Sequence, residues 1–181
     1  MYIPVILGTA REGRQSEKVA NFVFDLVKKS GLETELVDVR EYRVPATDRE
    51  EEIPQAKRWM EKLLRSDGLI IVSPEYNHTY PGELKMFLDM LYTQYLKRPV
   101  GLVGVSEGPW GGTRGIQALR LTCLALGMHP ILEAVYFPMV QDKFDETGKI
   151  KDVSYEKKVN GMVKSLTAQS EALRSLFPRT A

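Results

Sequence analysis

At 181 residues the chain is long enough to bury one core without staples, and 25 Lys and Arg against 24 Asp and Glu leave a formal net charge of +1. No basic block is long enough to read as a patch for nucleic acid or membrane, so neither is an expected partner. A single cysteine, Cys123, excludes an intramolecular disulfide framework. Met1 is followed by "YIPVILG", which has neither the basic start nor the cleavage site of a leader and is too short to span a bilayer. The expected location is cytoplasmic.

Short apolar runs alternate along the chain with segments whose apolar residues recur at three- and four-residue spacing. In order these predict a strand over 2–8 ("YIPVILG"), a helix over 16–30, a strand over 34–39 ("TELVDV") and a helix over 54–66. There follow a strand over 68–73 ("GLIIVS"), a helix over 82–93, a strand over 99–106 ("PVGLVGVS"), a helix over 112–127, a strand over 130–137 ("PILEAVYF") and a last helix over 152–177. Strict alternation of this kind predicts a parallel sheet covered on both faces. The runs at 3–7, 69–72 and 100–105 are nearly all apolar, as doubly buried strands should be, whereas "TELVDV" alternates and belongs at an edge. The expected fold is a single α/β domain over 1–181, a flavodoxin-like three-layer sandwich with a five-stranded parallel sheet of order 2-1-3-4-5. Such sheets bind ligands beyond the carboxyl ends of their strands at the switch point, which singles out the loops after strands 1, 3 and 4. The irregular stretches 40–54 and 138–152 read as surface loops, with a possible part in subunit contacts.

The first of these loops, "GTAREGRQSEKVA", carries Gly8, Thr9, Gly13 and Ser16, and its Arg11, Arg14 and Lys18 outnumber Glu12 and Glu17. A helix N-terminus has free N–H groups and a positive dipole end, so this loop suits a phosphate. The plainer alternative is that Ser16 caps the helix and the arginines are solvated. Two known nucleotide loops fail here: Arg14 and Gln15 stand where GxxxxGK[ST] needs Lys and Ser or Thr, and Ala10 occupies the second glycine position of GxGxxG.

Strand 3 runs into "SPEYNHTYPGELKMFLDMLY". Pro74 stiffens the turn, and Glu75, Tyr76 and Asn77 fall at the same sheet edge as the phosphate loop. Backbone groups and the Asn77 amide suit the edge of a flat heterocycle, and an aromatic or proline surface suits its face. After strand 4, "SEGPWGGTRG" places Ser106, Gly108, Trp110 and Gly111 on a third side, where glycines allow close approach of backbone. His78 and His129 have no ligand-spaced partner, Cys123 sits in an apolar helical stretch, and no G-x-S-x-G surrounds Ser73 or Ser106; metal sites and hydrolase chemistry are not expected.

The three stretches "GTAREGRQSEKVA", "SPEYNHTYPGELKMFLD" and "GVSEGPWGGTRGIQALR" resemble the signatures of the NADPH-dependent FMN reductase family, flavodoxin-like quinone, azo-dye and chromate reductases. The likeness runs from Tyr2 to about Pro138. It implies FMN held by its phosphate at Thr9, Arg11, Gln15 and Ser16, with its ring against Pro74, Glu75, Tyr76 and Asn77 and against the loop of Ser106, Gly108, Trp110 and Gly111. The first stretch has two more residues between Arg11 and Ser16 than the commoner family pattern, which leaves open whether Arg14, Gln15 or Ser16 meets the phosphate. The implied activity is hydride transfer from NADPH or NADH to FMN and then to a small-molecule acceptor, a quinone, azo compound, chromate or flavin, in a ping-pong scheme. The protein positions and tunes the cofactor and needs no catalytic side chain of its own. Helix-end N–H groups near the ring would stabilise negative charge on the reduced cofactor.

The rival reading is a flavodoxin-type electron carrier. Carriers of that kind dock through strongly acidic surfaces, and this chain is nearly neutral. In the helix over 82–93 and just beyond it, Met86, Phe87, Met90, Leu91, Tyr92 and Tyr95 offer more apolar surface than one sheet face needs, so a homodimer is expected, and the resemblance adds the possibility of a homotetramer.

Overall fold

The structure, a computed structural model, describes residues 1–45 and 53–177. In chain order its elements are β1 (Val5–Leu7), α1 (Ser16–Lys29), β2 (Leu36–Asp38), α2 (Pro54–Arg65), β3 (Leu69–Pro74), α3 (Gly82–Asp89), β4 (Pro99–Val105), α4 (Thr113–Ala125), β5 (His129–Phe137) and α5 (Ser154–Leu176). The five strands pair in parallel in the order β2-β1-β3-β4-β5, so the expected flavodoxin-like sheet is the one found. β1 is shorter than the apolar run that contains it. Pro4 has no N–H to give to β3, although its carbonyl still accepts from Ile70 N–H at 3.1 Å.

Alternation along the central strands sorts side chains into two cores. Ile6, Leu69, Ile71, Val100 and Leu102 face α2, α3 and α4, where they meet Trp59, Leu84, Phe87, Ile116 and Leu119. Val5, Leu7, Ile70, Val72, Val103 and Val105 face α1 and α5, among Val19, Val23, Val159, Met162 and Leu166. Helices therefore cover both faces, and the strand ends are left as the place where polar loops gather. β5 forms the far edge, with a register shift opposite Val100 and Leu102 that leaves Leu132 exposed.

Three expectations need correction. The helix over 82–93 ends at Asp89, and Phe87, Met90, Leu91 and Tyr95 are buried in the chain's own core. Phe87 packs on Tyr42 and Trp59 with ring centroids 5.2 and 4.8 Å away, and Trp59 Nε1 donates to Tyr95 Oη at 2.7 Å. Of that group only Tyr92 is exposed, so the apolar surplus argued for a subunit contact is consumed internally. The stretch 138–152 is more than a surface loop: Val140 and Phe144 are buried, and Phe144 stacks on Phe137. In 40–54, Tyr42 is likewise buried at the end of a 3-10 turn over Val39–Tyr42, while 46–52 lie outside the described residues.

Candidate functional site

The loops after β1, β3 and β4 enclose a cleft of about 410 Å³ at the carboxyl ends of the strands. Its walls carry Arg11, Gln15 and Ser16 from the first loop, Pro74, Glu75 and Tyr76 from the second, and Ser106, Gly108 and Trp110 from the third. Three expected residues do not line it. Thr9 is fully buried beneath the loop, and its Oγ1 lies 3.0 Å from Tyr76 Oη and accepts Arg11 N–H at 3.3 Å. Asn77 is exposed at the tip of a turn closed by two backbone bonds between Tyr76 and Thr79, 2.8 and 3.0 Å, with φ of 49° at Asn77 and 67° at His78. That conformation uses asparagine's tolerance of the left-handed region, which is the local reason for it there. Gly111 has φ +62°, and a Cβ on it would stand 2.9 Å from Tyr136 Cβ. Its freedom folds the loop back onto β5 instead of opening space for a ligand.

At the first wall, α1 begins at Ser16 with Gln15 in the cap position, yet no side chain caps the helix. Ser16 Oγ and Gln15 Oε1 are both buried without a hydrogen-bond partner among the described residues. The plainer reading of Ser16 as a capping residue is thereby overturned. A buried hydroxyl left unpaired at a helix start is costly unless something else satisfies it, and an anion accepting from Ser16 Oγ would do so. Gln15 Oε1 is an acceptor and calls for a donor, so Gln15 can meet an anion only through its amide NH2. Arg11 adds a charge at the rim, its guanidinium carbon 4.0 Å above the Tyr76 ring centroid.

Arg14 is different. Its side chain is 2% exposed, its guanidinium forks onto both Asp38 carboxylate oxygens, and its Nε donates to Glu17 Oε2 at 3.2 Å. Nη1 also donates to the Thr9 carbonyl. Burial alone would pull the Arg14 guanidinium down, but the Asp38 hydrogen bonds and charge, helped by Glu17, hold it above the usual arginine value. Burial likewise pushes the Asp38 carboxyl up, and the Arg14 bonds, the Arg40 N–H and the two arginine charges bring it below the ordinary carboxylate value. Of the three residues left open for phosphate, Ser16 has an unpartnered donor, Gln15 an unpartnered acceptor, and Arg14, although it lines the cleft, has its guanidinium engaged by Asp38, Glu17 and the Thr9 carbonyl.

Glu75 also has a structural occupation. Its Oε2 accepts from the N–H groups of Arg114 and Gly115 at 3.0 and 3.1 Å, so it occupies the N-terminus of α4. The helix end expected to face the ring is already partnered by a carboxylate. The third loop is held flat against β5 and its continuation. Ser106 N–H donates to Phe137 O, Val140 N–H to Ser106 O and Met139 N–H to Gly108 O, each at 3.1 Å. Trp110 stands at the mouth, 64% exposed. Gly13, Arg14, Val105, Glu107, Arg114 and Val140 complete the lining. Sequence reading missed Val140, whose only signal is an apolar pair with Met139 directly after the last strand.

This sheet and this cleft define a flavodoxin-type α/β protein with an anion-receptive end and a flat-walled end. Residues 1–142 match the family described as NADPH-dependent FMN reductase, and the chain belongs to that family. A quinone reductase from Pseudomonas putida is 30% identical over 159 residues, 83% of this chain and 84% of its own. An NADPH azoreductase from a Bacillus species is 31% identical over 140 residues, 75% and 71% of the two chains. Among solved structures, a flavoenzyme NAD(P)H:(acceptor) oxidoreductase from Paracoccus denitrificans matches the fold with a TM-score of 0.81 at 19% identity, covering 94% of this chain and 97% of that one. The protein is accordingly an NAD(P)H-dependent reductase with FMN as its cofactor. The cleft fits that group: its volume lies in the usual range for small ligands, roughly 300 to 1,000 Å³, and the buried, unpartnered Ser16 hydroxyl is a donor of the kind a phosphate accepts from. No helix among the described residues is long and apolar enough to cross a membrane.

Proposed function

We propose that the chain passes reducing equivalents from NAD(P)H to a planar two-electron acceptor, a quinone above all, with azo compounds, chromate and free flavin as further acceptors. The chemistry that FMN supplies when bound is acceptance of a hydride from the nicotinamide and its later delivery to the acceptor, in ping-pong order on one exposed face. The Ser16 hydroxyl and N–H, the Gln15 amide NH2 and Arg11 hold the phosphate. Backbone of Pro74 to Tyr76 and of Ser106 to Trp110 holds the ring edges, and Tyr76 and Trp110 provide flat surface for what enters after it. Glu75, whose Oε2 accepts from two N–H groups, stabilises α4; protons for the acceptor come from water.

The observation that carries this reading is the unpartnered buried hydroxyl of Ser16, a donor, beside the Arg11 guanidinium at one end of a cleft whose other end is flat and open. The quinone reductase relative supports the choice of acceptor. Exposed Leu121, Leu124 and Leu132 support a homodimer or homotetramer in place of the α3 argument, and sedimentation at micromolar concentration measures it. The test of function is the visible spectrum of the purified protein with FMN, followed on adding NADPH without oxygen and then a quinone. Flavin bands that bleach and return are expected. Bands that stay unchanged with either nicotinamide overturn the reading in favour of a carrier.

A further inference from the structure

Three consecutive carbonyl oxygens of the β1–α1 loop are held by arginines. Arg14 Nη1 donates to Thr9 O. Arg40 Nε and Arg43 Nη2 both donate to Ala10 O at 3.3 Å, and Arg40 Nη2 donates to Arg11 O at 2.9 Å. Arg40 and Arg43 come from the 3-10 turn that follows β2 and from the residue after it. That turn is itself fixed by Asp38, whose Oδ1 accepts Arg40 N–H at 2.9 Å while its two oxygens take the Arg14 fork. Asp38 therefore joins a buried arginine beneath the loop to an exposed arginine outside it.

The loop from Gly8 to Gln15 has little of its own to fix its shape. Gly8 N–H reaches Val72 O at 2.8 Å, and Arg11 N–H reaches Thr9 Oγ1 at 3.3 Å. Because a trans peptide points its N–H opposite its C=O, arginines that hold the carbonyls of Thr9, Ala10 and Arg11 also fix the direction of the next three N–H groups. A loop already held in its binding shape loses less conformational freedom when an anion arrives.

We propose that Arg40, with Arg43 beside it, is a positioning residue for the cofactor phosphate, acting through the carbonyls of Ala10 and Arg11 and not through contact with the anion. The inference rests on the reading of this loop as the FMN phosphate site. Arg40 is exposed and lies outside both cores, so its replacement leaves the fold intact. Only a planar guanidinium spans two successive carbonyls; lysine keeps the charge and loses that fork.

The test is flavin-fluorescence titration of the flavin-free protein with FMN and with riboflavin, for the unaltered chain, Arg40→Ala and Arg40→Lys. Both variants are expected to bind FMN about tenfold more weakly, with riboflavin affinity and melting temperature unchanged. Full FMN affinity in Arg40→Lys would reduce Arg40 to a contributor of charge and overturn the proposal. Equal losses for FMN and riboflavin would also overturn it, since the effect would then not be specific to phosphate. Failure of the unaltered chain to bind FMN would overturn the phosphate-site reading itself, and is seen before any variant is compared.

Discussion

Arg14 and Asp38, 24 residues apart, meet side-on beneath the first loop, with Arg14 Nη1 2.8 Å from Asp38 Oδ1. The contact ties the start of α1 to the end of β2, and the parallel pairing of Leu7 with Asp38 brings the two together. Bidentate pairs of this kind are both directional and strong. The Asp38 carboxyl, ordinarily titrating at 3.8, is held lower in the folded protein. Its contribution to stability is therefore fully present above that ordinary value and is lost as pH falls through the lower, folded one. Asp38→Asn should cost about 2 kcal/mol at pH 7, and the gap to the unaltered protein should shrink below pH 4. Denaturant unfolding at pH 7 and at pH 3 measures both; a gap independent of pH would refute the assignment.

Ser16 offers a test in which stability and binding move apart. Its hydroxyl is buried without a partner among the described residues, so Ser16→Ala should leave the flavin-free protein as stable as before or slightly more so. FMN affinity should nevertheless fall by roughly tenfold, about 1.4 kcal/mol. Thermal melting and flavin titration read the two separately. An apo protein destabilised by the change would show that the hydroxyl has a structural partner after all.

Arg11 has no carboxylate within ion-pair distance among the described residues and rests on Tyr76. Arg11→Ala should weaken FMN binding about ten- to a hundredfold, some 1.5–3 kcal/mol, and spare riboflavin. Parallel titration of the two flavins decides it, and equal loss for both would place Arg11 at the ring.

Trp110 stands free at the mouth of the cleft. Trp110→Ala should raise KM for a planar quinone three- to tenfold, the worth of one aromatic contact at about 0.5–1.5 kcal/mol, with FMN affinity within about twofold of the original. Steady-state kinetics at saturating NADPH provide the first number and flavin titration the second. A fall in FMN affinity with unchanged KM would move Trp110 from the acceptor's side to the cofactor's.

Much of this architecture is legible along the chain. Nearly unbroken apolar runs at 69–72 and 100–105 mark central strands, alternation in "TELVDV" marks an edge, and strand order then names the three loops that matter. Other features belong to tertiary pairing and leave no local trace. Nothing near Arg14 in sequence announces Asp38, since the sheet brings them together. Glu75 reads as a ligand-facing carboxylate until α4 arrives 39 residues later and takes it. Asn77 reads as an amide for recognition, and only the paired backbone bonds around it show that its conformation is what the turn uses. Apolar periodicity likewise cannot tell a second subunit from an internal partner, and Phe87 and Tyr95 find theirs in Trp59.

The capture of the α4 N-terminus by Glu75 has a consequence for the direction of anything that enters the cleft. Two helix N-termini lie there, and at α1 the buried Ser16 hydroxyl has no partner among the described residues, so an anion meets a receptive terminus at one end and a satisfied one at the other. The cleft has a head and a tail before any ligand arrives. A molecule with a phosphate on one side and a flat ring on the other has a single way to lie down.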